Sequence, residues 1–263
     1  MKHRLFIYGS LFIINLLFAF VARAQVQNYR QFGDEIDFND DLDSKWSLEF
    51  NGGESFTTTP TQKNIFSRLS QLYAREWIHY RLNDKWKFSL FYAYYYNKYV
   101  PEIDQRKAPE WRSAMQAIYY IHNKRAVITT RWRLEDRHIR SVDSIYEAVE
   151  RLRLQIKVVY PINGMSIAEK VFYGIGAEEV FFKDKSHVSG NDIFDRNRVT
   201  IGAGYGLTKS TQLEITYVNE YLPRSPVSDS YNLVQVNLVF NNLFSKLKHH
   251  FLDNNKRDSA TAD

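Results

Sequence analysis

From Trp46 onward the apolar residues of this chain recur at every second position, in one segment after another. A period of two belongs to strands, whose side chains alternate between two faces; a helix repeats at 3.6. Trp86, Phe88, Leu90, Tyr92, Tyr94 and Tyr96 share one face, against Lys87, Ser89, Ala93 and Asn97, with Phe91 and Tyr95 among the latter. Leu152, Leu154, Ile156, Val158 and Tyr160 oppose Arg151, Arg153, Gln155 and Lys157. Val199, Ile201, Ala203, Tyr205 and Leu207 oppose Arg198, Thr200, Gly202, Gly204 and Gly206. Leu213, Ile215 and Tyr217, then Val234, Val236, Leu238 and Phe240, continue the pattern.

Ten such strands are predicted, over 45–51, 68–82, 86–97, 110–121, 125–137, 147–160, 169–182, 198–207, 211–221 and 231–240. Many reach the roughly 9 to 11 residues that a tilted strand needs to cross a bilayer. The connections at 83–84, 122–124, 161–164 and 208–210 are tight, whereas 52–67, 98–109, 138–146, 183–197 and 222–230 are long and polar. Alternating short turns and long loops are the rhythm of a transmembrane up-and-down antiparallel β-barrel of outer-membrane type, with an even strand count, so twelve is the alternative to ten. Ten strands place both termini at the periplasmic end. A soluble sandwich or lipocalin-like barrel is the competing fold, with the apolar face turned inward. A mean hydropathy of -0.45 excludes a bundle of membrane helices, and the absence of cysteine excludes disulfide and thiolate chemistry.

Four regions follow. Residues 1–24 read as a signal peptide: Lys2, His3 and Arg4, an apolar run from Leu5, and a small-x-small exit at Ala22-Arg23-Ala24. Residues 25–44 are a polar segment or an extra strand, 45–240 the barrel, and 241–263 a polar tail with an amphipathic stretch around Leu243, Leu247 and Phe251. Loss of the first 24 residues leaves 32 basic side chains against 30 acidic, too near balance to indicate nucleic-acid binding. The expected address is the outer membrane of a Gram-negative bacterium, with membrane lipid and lipopolysaccharide as surroundings and oligomeric state open. The acids at Asp34, Glu35, Asp37, Asp40, Asp41 and Asp43 lack the glycine and terminal glutamate of a calcium loop, so no metal or cofactor is expected. Glu76 falls on the apolar parity of Leu72, Ala74, Ile78 and Tyr80, so either a bulge intervenes or a carboxylate faces lipid, and the bulge is the expectation.

The polar face carries the chemistry. Period two places Arg131, Arg133, Glu135 and Arg137 together, opposite Arg151, Arg153 and Lys157, with Arg198 and the counter-charges Glu178 and Glu214 on later strands. Buried guanidiniums demand carboxylate partners. The first expectation is therefore a non-catalytic barrel whose Arg/Glu network largely fills the lumen; a narrow pore preferring small anionic solutes is the alternative. A hydrolase would need a site at the outer rim, where Asp136, His138, Ser141 and Asp143 form one candidate group and Asp184, His187, Asp192 and Asp195 another. Gly202, Gly204 and Gly206 precede no helix and give space at a crowded wall instead of a nucleotide loop.

Trp86 with Tyr92-Ala93-Tyr94, the run Arg131 to Arg137, Arg151-Leu152-Arg153 before Tyr160-Pro161, Glu178-Glu179-Val180-Phe181, Phe194 to Arg198 and Gly202-Ala203-Gly204-Tyr205 occur in order. Together they resemble the domain of unknown function 2490 family of Bacteroidota proteins, regarded as outer-membrane barrels. That family more often carries Gln where this chain has Asp136 and Arg196. The resemblance implies fold and location and supplies no activity.

Overall fold

The computed structural model describes residues 25–59, 61–100, 105–141 and 143–243. The signal peptide and the amphipathic tail predicted from sequence lie outside the described residues, apart from the start of the tail. Eleven strands follow in order: β1 Gln25–Asp41, β2 Trp46–Thr57, β3 Arg68–Arg81, β4 Trp86–Val100, β5 Gln105–Asn123, β6 Val127–Arg140, β7 Tyr146–Pro161, β8 Phe172–Lys183, β9 Phe194–Gly206, β10 Thr211–Leu222 and β11 Val227–Asn241. Each pairs antiparallel with its neighbours in sequence, and β1 closes the cylinder against β11. Closure leaves no free edge, so the ladder supplies partners for the backbone N–H and C=O groups of every strand.

Among the described residues the count is eleven, not ten or twelve. The extra strand is the polar N-terminal segment, in which Phe32, Ile36 and Phe38 alternate with Gly33, Glu35 and Asp37. An odd number of alternating strands must close with one parallel pair. That seam runs in unbroken register from Gln25 beside Val227 to Asn39 beside Asn241. Gln25 consequently lies at the opposite end of the barrel from Asn241, where an even count would have put both together.

The turns at one end, at 42–45, 82–85 and 207–210, share a local device. Asp43 accepts from the backbone N–H of Lys45 at 2.7 Å and Trp46 at 2.8 Å; Asn83 accepts likewise from Lys85 and Trp86, and the Thr208 hydroxyl from Ser210 and Thr211. Such side chains mimic the backbone of a tight turn. The two backbone bonds hold the Asp43 carboxyl below its usual pKa. The fourth connection departs from expectation: 162–171 is a longer excursion whose Lys170 and Val171 bond to Gly206. At the other end the strands run further than their hydrophobic pattern, so much of 98–109 and 222–230 is ladder and not loop.

The two faces sort by chemistry. Leu90 (61% exposed), Met115, Leu134, Ile201 and Ile215 point outward, whereas Arg133, Glu135, Arg151 and Arg153 are buried inside. A soluble barrel or sandwich would bury the first set. Near the turn end, Trp46 packs on Tyr80, Trp86 on Tyr119 and Trp132, Phe172 on Tyr205 and Phe38 on Phe240, a set of aromatic groups spaced around the barrel. Among the described residues no helix is long and apolar enough to cross a membrane, which bears on helices alone.

Glu76 corrects the sequence reading. Its register with Phe50 and Tyr92 is regular, so its carboxylate stands on the apolar outer face; the irregularity of β3 lies higher, where Ser70 is the extra residue opposite the Ser55–Phe56 step.

Candidate lumenal site

The inner face of β5 to β10 carries most of the lumenal charge. Glu110, 1% exposed, takes two bonds from Arg137, at 2.6 and 2.9 Å, and one from Arg112 at 2.8 Å. Glu135 holds Arg151 through Nε at 2.8 Å and Nη2 at 2.6 Å, and Arg153 at 2.7 Å, with Arg133 more distant at 3.5 Å. Glu179 takes the other edge of Arg153, at 2.8 and 3.0 Å, and Arg131 at 2.5 Å. Glu220 bridges Arg196 at 2.9 Å and Arg198 at 2.7 Å. These are charge-assisted, partly bidentate bonds, in which the planar guanidinium fork matches the carboxylate. Because Arg153 joins Glu135 to Glu179 and Arg198 lies 3.7 Å from Glu179 while bonding Glu220, these three groups form one lattice, with the Glu110 group as a separate set beside it.

Aromatic rings complete the wall. Phe181, 1% exposed, faces Arg153 at 4.5 Å, Arg198 at 5.0 Å and Arg151 at 5.3 Å from its centroid, and Trp77 faces Arg133 at 4.6 Å. A ring quadrupole stabilises cations that have fewer carboxylates than they need. On the opposite wall Glu35 is bonded by Arg75 and by the Tyr73 hydroxyl, and His79 links Glu49 at 3.0 Å to Ser89 at 2.7 Å.

Two tyrosines reach sideways across the inner wall because glycines make room. The Tyr173 ring lies over Gly204, where an added Cβ would come within 2.2 Å of it, and its hydroxyl donates to Glu214 at 2.8 Å. Tyr73 lies over Gly53 in the same way.

The structure places Arg131, Arg133, Glu135, Arg151, Arg153 and Arg198 in the lattice and Arg137 beside it on Glu110, and Glu214 also faces inward. Lys157 lines the lumen without joining the lattice. Glu178 does not face the lumen: it sits on the outer parity with Val180, receives Asn197 at 3.2 Å, and the inner carboxylate is its neighbour Glu179. β8 carries aromatics on both faces, Phe172 and Phe182 outside with Tyr173 and Phe181 inside, so its alternation gave no parity to read. Sequence reasoning also missed Glu110, at the head of a strand. Asp195 was assigned to a rim loop, yet it is buried inside, with Arg224 at 2.7 Å and Arg196 at 3.0 Å. A bulge explains this: Phe181 pairs Arg196 and Phe182 pairs Phe194, so Asp195 is the additional residue and turns inward beside Arg196.

The other rim candidates are dispersed. Asp136 and His138 meet at 3.1 Å, half-exposed on the outer face, while the Ser141 hydroxyl accepts from the Ile145 N–H. In the second group the His187 backbone N–H donates to Glu147. Among the described residues no hydrogen bond joins a serine to His138 or His187, and no cluster fit to hold a metal ion is present.

The lattice lines the cylinder without filling it. A cavity of about 1470 Å³ runs along the axis, with twelve Arg and Lys side chains in its wall against six carboxylates. Fold and site together define a closed up-and-down β-barrel, apolar outside, with an ion-paired and cation-rich chamber. The chain belongs to the family described as Protein of unknown function (DUF2490), whose model matches residues 34–232. No curated protein matches it.

Proposed function

We propose that this chain is a non-catalytic barrel of the Gram-negative outer membrane, exported by its signal peptide, whose chamber provides a narrow passage preferring small anions. The observation that carries the reading is the inversion of faces: Leu90, Met115 and Leu134 are exposed while Glu110 and Glu135 are buried. Apolar surface of that extent is stable against acyl chains and costly against water. The spaced aromatic groups suit the level of the lipid headgroups, with lipopolysaccharide around the opposite rim. Within the chamber the cationic surplus attracts anions, and the lattice fixes the wall so that its charges stay oriented.

Two measurements test this. Cell fractionation with heat-modifiable gel migration checks the location; recovery of folded protein in the soluble fraction without detergent refutes it. Planar-bilayer recording checks the passage, with small current steps and an anion-selective reversal potential expected. A second reading is favoured by the saturation of Glu135 and Glu179, each held by at least two arginines: the lattice is purely a brace, and conductance is then absent.

A further inference from the structure

The lattice occupies the part of the chamber toward the loop end; a different cluster lies toward the turn end. Cross-strand register sets Arg81 beside Lys87, Lys87 beside Ile118, and Ile118 beside Arg131 on one inner row. Lys157 follows one row nearer the turn end, paired with Thr129 on one side and Ala177 on the other. Lys87 lies near enough to one carboxylate, Glu49, and to three cations, Arg81, Arg131 and Lys157, to feel the charge of each. The carboxylates at hand are committed elsewhere: Glu49 to His79 at 3.0 Å, Glu179 to Arg131 and Arg153. Among the described residues no ion pair holds Arg81, Lys87 or Lys157. Arg131, Lys157, Thr129, Gln155 and Thr200 line the chamber at this level, and Ala177 leaves it wide.

Lysines and arginines gathered toward one mouth of a chamber, with hydroxyls beside them, outnumber the carboxylates within their reach. We infer that the Arg81, Lys87, Arg131 and Lys157 cluster is a seat for a small dianionic phosphate, free or as a phosphomonoester. Two lysines supply rotatable ammonium donors, Arg131 the guanidinium nitrogens that Glu179 does not hold, its Nε being buried without a partner, and Thr129 and Thr200 hydroxyls. A dianion meets this density of charge better than chloride does, since it neutralises two cations and accepts several hydrogen bonds at once. The inference rests on the anion-accepting reading of the chamber and narrows it to one ligand chemistry at one place.

The test is titration calorimetry of the detergent-folded full chain with inorganic phosphate, glycerol phosphate and chloride, at constant ionic strength. Phosphate is expected to bind and chloride not; tighter binding of the ester identifies a phosphorylated solute, and tighter binding of phosphate the free ion. Replacing Lys87→Gln and Lys157→Gln together should weaken binding by about tenfold for each lysine removed, whereas Lys87→Arg with Lys157→Arg retains it. In the wild-type chain, isotopically methylated lysines at 87 and 157 should shift on phosphate addition, a readout independent of whether the variants fold. Binding unaltered by the glutamine pair, absence of lysine shifts, or phosphate binding no tighter than chloride overturns the seat. Anion-selective conductance with any of those results leaves the passage standing without it; phosphate binding without conductance leaves the seat and removes the passage.

Discussion

Glu135 is the point at which the lattice is most exposed to a single change. Glu135→Gln keeps the shape of the side chain and removes its charge. Its carboxylate, fully buried, receives the Nε and Nη2 edge of Arg151 and one nitrogen of Arg153. Arg153 retains Glu179, but Arg151 is left with Asp195 at 3.6 Å. Removing one member of a buried ion pair costs about 3 to 5 kcal/mol, because the partner stays desolvated and uncompensated. The lower figure applies, since the glutamine oxygen still accepts one bond and the guanidiniums border a chamber. Glu214→Gln is the control: the Tyr173 hydroxyl can donate equally to an amide oxygen, so the loss is about 1 kcal/mol or less. Urea unfolding of protein inserted in lipid vesicles, followed by tryptophan emission, should therefore separate the two variants by about 2 kcal/mol. Equal midpoints for both would refute the reasoning that the lattice holds the wall in place.

Three further outcomes follow from other parts of the barrel. Met115→Arg, in the middle of the outward row that joins Leu90 to Leu134, should destabilise vesicle-inserted protein by about 2 to 4 kcal/mol, and a negligible loss would mean that this face does not meet lipid. Gly204→Ala drives a methyl into the Tyr173 ring and should cost about 1 to 3 kcal/mol in the wild-type background and little in a Tyr173→Ala background; equal losses in both would show that the two do not touch. Because the chain contains no cysteine, single cysteines at Asn83 and at Asp143 give a clean topology assay, and an impermeant maleimide added to whole cells should reach only one of them.

Much of the wall was legible from residues alone because outward and inward positions differ so sharply in polarity. Arg151 and Arg153 against Leu152 and Leu154 fix parity for β7 beyond dispute, and β4 and β10 read as plainly. Legibility failed where the two faces resemble each other. On β8 phenylalanine and tyrosine stand on both sides, and the doublet Glu178-Glu179 was resolved to the wrong member. On β1 acids stand outside as well as inside, with Asp34 on the parity of Phe32 and Ile36, which left the segment open between a polar stretch and an extra strand. Bulges were misplaced for a related reason: Glu76 suggested one that is absent, whereas the one at Asp195 is marked only by register with a neighbouring strand. The partners of each arginine were out of reach, since Glu110 and Arg137, or Asp195 and Arg224, are joined by pairings distant in sequence.

The parallel seam has a consequence for how such a cylinder comes into being. Its two borders are the first and last strands, so the join between Phe38 and Phe240 cannot form by zipping outward from a hairpin. Every precursor is an unclosed curtain with two raw selvedges of unbonded amides and carbonyls, which the proposed membrane setting would leave without partners in hydrocarbon. The folding route must shelter those margins until the final strand arrives, and the step that sews them together is the one on which the whole enclosure waits.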